Sequence, residues 1–553
     1  MIDIYGKDRP MTLKNETVGK CVLAYLALPT VVFLLGWLRW ELGVPAGIAV
    51  LAALGRAFRR KRDDGAVTLA PIAEPAERLE IAVPVALALV AGIVAWCVLA
   101  GQGGFVVQSG DWNWRNATFR DLITHEWPVR YDDWNRALVF YVGHWLPPAL
   151  VGKLVLAMTD SLPCAWRLGN VALLFWTATG VALVFSQLLV ILKARSVRRQ
   201  FAVLALLVFL GGLDVVGTMA LNIKQMLAGL PPENSWWNFD DWWSRVFNYT
   251  SNSTCLFWVF HQAVPAWVAT LFVARGARLS EVAFLLSLLA IYCPIPATGV
   301  AFAVCVLVLH RVRSGGEFAA VFRACVSLPN LVGVLVVAPL VAAFICSNPA
   351  AGQLSFAWTE MGTTFFLRRW TLFFVCELGL YFALTFGCCR RNPWWWYALV
   401  WLPFCPMVRI DGGADFCMRA SIPAFLALGV LAFHSAMRLR AERSWKWAAL
   451  VGCLVVGSYV PAKEMAWEIY HVCRLGLGVV VEDRIVTFDQ DLEARFAEEY
   501  NWPGIGEWIL AKNTVKSPDE QFFFRCLARP RADPRPSARR GRDSKTRESF
   551  YVK

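Results

Sequence analysis

The chain is 553 residues long, 57% hydrophobic and only 17% charged, with a mean hydropathy of +0.48. A soluble protein of this length needs far more charge to cover its surface, so the composition excludes a soluble enzyme and indicates an all-α polytopic integral membrane protein. The net charge of +13 does not imply a nucleic-acid partner, because the Lys and Arg residues lie mainly between apolar runs and in the segment 529–553, as topogenic charge does.

The N-terminal stretch MIDIYGKDRPMTLKNETVGK is too polar for a cleaved signal peptide, so the first span is expected to be retained. A bilayer core about 30 Å thick needs roughly 20 apolar residues in a helix. Runs that meet this or approach it are 20–38, 43–57, 81–101, 165–192, 200–220, 254–275, 280–293, 295–310, 328–347, 369–388, 394–408, 419–437 and 446–460, which predicts about 13 transmembrane helices.

Orientation tests that count. With these spans, the basic clusters RAFRRKR at 56–62, KARSVRR at 193–199, Arg275/Arg278, Arg311/Arg313, Arg390–Arg391 and Arg438–Lys446 all fall on the cytoplasmic side. The N-terminus is then cytoplasmic and the C-terminus extracytoplasmic. The fit requires that the apolar run 137–158 does not cross. It contains Pro147–Pro148, which remove two backbone donors and disfavour a helical residue before them. It is therefore expected to form a juxtamembrane or re-entrant helical pair, covered by protein.

This topology gathers the segments 102–164, 221–253, 348–368 and 409–418 on the outer face, together with the chain after Val460. The first, opening QGGFVVQSGDWNWRNATFRDLITHEWPV, sets acidic residues among tryptophans, and tryptophan favours the bilayer–water boundary. The second repeats that character, with Asp240 and Asp241 between Trp236–Trp237 and Trp242–Trp243. Residues 461–528 are mixed in composition and are expected to form a small outer subdomain. Residues 529–553 are rich in Arg, Pro and Ser and are expected to be disordered. Most of the sixteen Cys lie in apolar runs without a C-x-x-C pair, which fits small buried side chains better than disulfides or zinc.

Asp111 is the leading candidate for chemistry. A carboxylate partly desolvated by Trp112 and Trp114 can accept a proton from a sugar hydroxyl; its other role is to cap the helix WNWRNATFRDLI. Asp121 is a second acidic candidate, with a helical ion pair to Arg115 or Arg120 as its structural role. His125 and His144 are placed for acid–base work or phosphate contact, or for structural hydrogen bonds. Asp132–Asp133 fit turn chemistry.

Asp214, in FLGGLDVVG, and Glu377, in FFVCELGLYF, sit inside spans, where an ionisable side chain is costly and faces a cavity or a partner. Asp240 and Asp241 serve either an interfacial acidic loop or the binding of metal, acceptor or sugar. Arg419, in DGGADFCMRASIP, is placed to hold a lipid phosphate, or to pair with Asp415. Asn116, Asn248 and Asn252 fit N-x-[ST]. No His/Cys/Asp cluster has metal-ligand spacing, so neither a metal nor another cofactor is required.

The large outer loop with an acidic residue after an early span, the Pro-containing juxtamembrane segment and the later spans resemble the GT-C superfamily of membrane glycosyltransferases over roughly 80–528. The stretches GDWNWRNATFRDLITHEWPV, YTSNSTCLFWVFHQAVPAW and DFCMRASIP are also similar to blocks in an uncharacterised family of bacterial multispan proteins. The resemblance implies a GT-C-like core over 81–460, preceded over 1–80 by an extra N-terminal hairpin. It implies inverting transfer of a sugar from a polyprenyl-phosphate donor to an extracytoplasmic glycan or lipid acceptor of the cell envelope, in a bacterial inner (plasma) membrane. Asp111 would be the base, with Arg419 or Arg115 on the donor phosphate. The chain departs from the superfamily in that hairpin and in carrying Asp-Trp where many members show a doubled acidic motif. The alternative is a transporter or lipid flippase that uses Asp214 and Glu377.

Overall fold

The computed structural model describes residues 10–59, 66–108, 110–231, 242–315, 317–348, 353–478 and 505–531. Its helices, in chain order, are α1 (Asn15–Trp37), α2 (Trp40–Arg59), α3 (Val83–Leu99), α4 (Trp112–Thr124), α5 (Leu146–Thr159), α6 (Leu162–Ile191), α7 (Val197–Phe209), α8 (Asp214–Leu227), α9 (Asn252–Ala274), α10 (Leu279–Ala290), α11 (Pro294–Arg313), α12 (Phe318–Cys325), α13 (Leu328–Ile345), α14 (Thr363–Cys389), α15 (Pro393–Phe404), α16 (Asp415–Ala420), α17 (Ile422–Ala441), α18 (Trp445–Leu475) and α19 (Ile505–Asn513). Among the described residues, α1, α2, α6, α9, α11, α13, α14, α17 and α18 are long and apolar enough to cross a bilayer, and the bent pair α7–α8 adds a tenth candidate. The protein is an all-α, multi-pass integral membrane protein. Asp240, Asp241 and the tail from residue 532 onward lie outside the described residues.

The helices sort by what they touch. α9 is buried almost throughout and α17 nearly so, whereas α11 and α18 turn much of their apolar surface outward. Outward-facing Leu309, Val455 and Val456 would be a liability in water and are what a lipid-facing helix requires. Small residues allow close helix approach at the centre. Gly180 faces Tyr25 and Val264, and the backbones of Gly211 and Gly457 pass so closely that neither has room for a side chain.

α7 and α8 are bent by 46° at the break Leu210–Leu213. Irregular backbone inside a membrane bundle is stable only where its polar groups find partners. Here Asn252 N donates to Leu210 O (2.9 Å), the Tyr381 hydroxyl to Gly211 O (3.3 Å) and Leu213 N to Glu377 O (3.3 Å).

The run 137–158 is not one helix. Its start belongs to strand β4 (Arg136–Leu138), a turn follows at Val142–His144, and α5 begins at Leu146 with the prolines in its first turn. Proline is tolerated there because those N–H groups have no intrahelical acceptor. At 1.5 Å per residue α5 is about 21 Å long.

β4 pairs antiparallel with β3 (Arg130–Tyr131) on one side and with β7 (Thr514–Lys516) on the other. β5 (Leu354–Phe356) pairs with β6 (Val408–Ile410), and β1 (Met11–Lys14) with β2 (Arg78–Ile81). Asn348 Nδ2 donates to Ala511 O at 2.9 Å. Residues from the first loop, Asn348, and residues from 353–356, 408–420 and 505–528 therefore meet at one end of the bundle, where α3 ends and α17 begins.

The return of the chain at that end depends on Gly101. Its φ is +85°, and a Cβ there would lie 3.1 Å from both Gln108 and Trp112. Gly101→Ala is expected to cost about 1–3 kcal/mol, because it forces a side chain into the left-handed region and onto Trp112. A thermal-unfolding midpoint in detergent equal to wild type would contradict this.

Candidate functional site

The loop after α3 folds back through a short polar chain. Gln108 Nε2 donates to Gly101 O (2.8 Å), and Asn116 Nδ2 donates to Gln108 Oε1 (2.7 Å). This fixes the start of α4, with Trp112 stacked on Phe260 at a centroid distance of 4.9 Å. Asp111 occupies the N-cap position, yet its φ/ψ of −59°/−22° is helical and its side chain makes no capping bond. Its Oδ2 instead accepts from Arg115 Nη2 at 2.6 Å, one helical turn on. Capping is therefore not what holds this carboxylate.

Asp111 is 28% exposed and Arg115 only 4%. Burial raises the Asp111 carboxyl above its ordinary range, even though Arg115 and Arg419 pull it down. Burial likewise lowers Arg115 to about 10, opposed by Asp111 and assisted by Arg419. The Arg115 guanidinium also lies 5.9 Å from the Phe260 ring centre. The site thus holds a carboxylate that binds its proton more tightly than usual, beside a cation pressed against an aromatic ring.

Arg419 arrives from α16, where Asp415 lies one turn earlier and 3.3 Å away. The predicted ion pair is present, and Arg419 also acts electrostatically on Asp111, Arg115, Tyr141 and His261. The Asp415 carboxyl, raised by burial but lowered more by Arg419 and Lys512, sits below its usual range. Tyr141, after β4, is raised by burial, with Arg419 opposing and Asp415 and Asp411 adding to the rise.

His261 closes the inner side. α9 departs from helical geometry at Val259 (φ −136°, ψ +34°), and Pro265, four residues after His261, has no N–H to give that residue's carbonyl. The His261 ring stacks on Trp145 at 4.6 Å. Neither His261 nor Lys512 was singled out in the sequence. His261 was accessible by the argument applied to Asp214 and Glu377, an ionisable group within an apolar span; Lys512 carried no local signal.

The remaining candidates are placed elsewhere. Asp121 is fully buried and accepts from the Tyr131 hydroxyl at 2.7 Å. His125 lies 4.0 Å from Asp121 and 3.1 Å from the Thr124 hydroxyl. Ten residues of helix, about 15 Å, separate Asp121 from Asp111. Burial lowers His144 to about 3, so it stays neutral, bonded to Thr177 (3.0 Å), which donates in turn to Gln102 (3.3 Å).

Asp214 and Glu377 both border Gly212 at the α7–α8 break, where Trp243 Nε1 donates to Glu377. Asn116, Asn248 and Asn252 are buried, so those N-x-[ST] matches present no acceptor surface. Among the described residues, no three His, Cys, Asp or Glu side chains gather closely enough to hold a metal ion.

Between α3, α7 and α18 runs an apolar groove of about 280 Å³, walled by Gly92, Trp96, Leu99, Leu204, Val208 and Met465. Its Leu99 end is two residues before Gly101, against which Trp112 packs. No family model, curated protein or solved structure matches the chain.

Proposed function

We propose that the Asp111–Arg115–Arg419 group is the centre of an inverting, GT-C-like membrane glycosyltransferase. It would move a sugar from a polyprenyl-phosphate donor to an extracytoplasmic glycan or lipid acceptor of the cell envelope. The observation that carries this reading is Asp111 itself, a carboxylate raised by burial, paired with Arg115 at 2.6 Å and lying within the electrostatic influence of Arg419. A carboxylate that binds a proton more readily than usual and cations for a phosphate are parts such a transfer needs.

In this reading Asp111 takes the proton of the acceptor hydroxyl as the oxygen bonds to the anomeric carbon. The carbon–oxygen bond to the phosphate breaks on the opposite side, and its electron pair leaves with the polyprenyl phosphate. Arg419 offsets the charge gathering on that phosphate, and Arg115 orients Asp111. The topology in this reading has thirteen crossings: the nine long helices, the bent α7–α8 pair and the shorter α3, α10 and α15; α5 is left out, although longer than α10 and α15, because counting it would put the basic cluster 193–199 outside. The basic clusters favour an N-terminus in the cytoplasm with the site and C-terminus outside, and the resemblance to GT-C enzymes favours a bacterial plasma membrane.

A second reading, a transporter or lipid flippase, is favoured by the meeting of Asp214 and Glu377 at the α7–α8 break. Purified protein incubated with a panel of polyprenyl-phosphate sugars and acceptors separates the two. Acceptor-dependent release of free polyprenyl phosphate, retained in Asp214→Asn, is the expected result. No turnover across the panel, with Asp214-dependent lipid movement in vesicles, replaces the first reading by the second.

A further inference from the structure

The cationic half of the site includes a residue from the far end of the chain. α19 ends at Asn513, whose carbonyl accepts from Val139 N at 2.9 Å, and β7 then continues the sheet beside β4. Asn348 holds the carbonyls of Ala511 (2.9 Å) and Lys512 (3.3 Å), and Arg136 donates to the Thr514 hydroxyl (3.1 Å). The backbone around Lys512 is thus pinned from two separate parts of the fold, the segment 136–139 and Asn348. From this fixed point the Lys512 ammonium reaches 3.4 Å from Asp415 Oδ2 and 3.5 Å from Asp411 Oδ2. Asp415 presents its other oxygen, Oδ1, to Arg419 at 3.3 Å.

We propose that Lys512 is a positioning residue for phosphate binding, acting through Asp415 on Arg419. The inference rests on the glycosyltransferase reading of the same site. Asp415 is shared, with one oxygen on Lys512 and the other on Arg419. A carboxylate divided in this way holds the guanidinium by one contact, where an unshared one would draw it into a two-pronged pair. The Arg419 donors not engaged by Asp415 then stay available to a phosphate.

Charge works in the same direction. Asp111, Asp411 and Asp415 are matched by Arg115, Arg419 and Lys512, so these six ionised groups sum to zero before a ligand enters. Without Lys512 they carry a net negative charge, and an incoming phosphate meets repulsion and an Arg419 captured by Asp415. The C-terminal segment, distant in sequence, therefore completes the site.

The test uses the full chain in nanodiscs, titrated with undecaprenyl phosphate and, as uncharged control, undecaprenol. Wild type is expected to prefer the phosphate. Lys512→Gln should weaken phosphate binding about tenfold, the size expected of one partly screened charge, without changing undecaprenol binding. Lys512→Arg should keep wild-type affinity. Adding Asp415→Asn to Lys512→Gln should restore phosphate binding, because it frees Arg419; a purely structural role for Lys512 predicts further loss. Unchanged binding in Lys512→Gln, or no recovery in the double variant, overturns the role of Lys512 and leaves the glycosyltransferase reading standing. Equal binding of phosphate and alcohol by wild type overturns the phosphate site, and the role of Lys512 with it.

Discussion

Asp111→Asn is expected to lower sugar transfer from a polyprenyl-phosphate donor by about 10²–10⁴-fold, the usual contribution of a general base. The exchange is close to isosteric, and an amide oxygen still accepts from Arg115. Arg115 also keeps its place over Phe260, so insertion and folding should survive. Because Arg115 is only 4% exposed and loses its charge partner, the change should also lower the unfolding midpoint, so the rate is read per folded molecule. Asp121→Asn is the contrasting control. Its carboxylate is fully buried beneath the Tyr131 hydroxyl, so the change should lower the unfolding midpoint and the yield while leaving the rate per folded molecule near wild type. Radiolabelled transfer normalised to folded protein by size-exclusion chromatography measures both. Full activity in Asp111→Asn would remove this carboxylate from the reaction.

The sequence revealed the architecture better than the site, for reasons visible in particular residues. Length and hydropathy suffice to mark an apolar helix, so α1, α6, α9 and α17 were readable as spans. The 137–158 run shows how that signal is limited: its mean apolarity says helix throughout, whereas backbone pairing to β7, from residues 514–516, draws its first residues into a strand. That partner lies some 380 positions away, and no local pattern announces it. The same applies to the site. Asp111 and Arg115 are neighbours on one helix, and Asp415 and Arg419 on another, so both pairs were visible as i,i+4 spacings. That Arg419 lies within electrostatic range of Asp111, His261 and Tyr141, and that Lys512 shares Asp415 with Arg419, depends on tertiary packing. The capping role open to Asp111 was decided against by geometry too, since its backbone is already helical.

Arg419→Gln should slow transfer about 10²–10³-fold, the range for removing one stabilising donor from a reacting oxyanion, and should also move the pH profile. The working form of Asp111 is the deprotonated one, so the rate rises with pH through its pKa. Burial raises that pKa above the ordinary aspartate range, and Arg419 acts in the opposite sense. Taking away the guanidinium removes a lowering influence, so the carboxyl should hold its proton to higher pH and the acid limb should shift upward. Arg419→Lys separates the two roles. It keeps the positive charge, so the acid limb should stay near its wild-type position, yet it loses the planar fork that grips phosphate, so the rate should still fall. An acid limb unmoved in Arg419→Gln would show that Arg419 does not set the protonation of Asp111, and a Lys variant with full activity would show that point charge alone serves the phosphate.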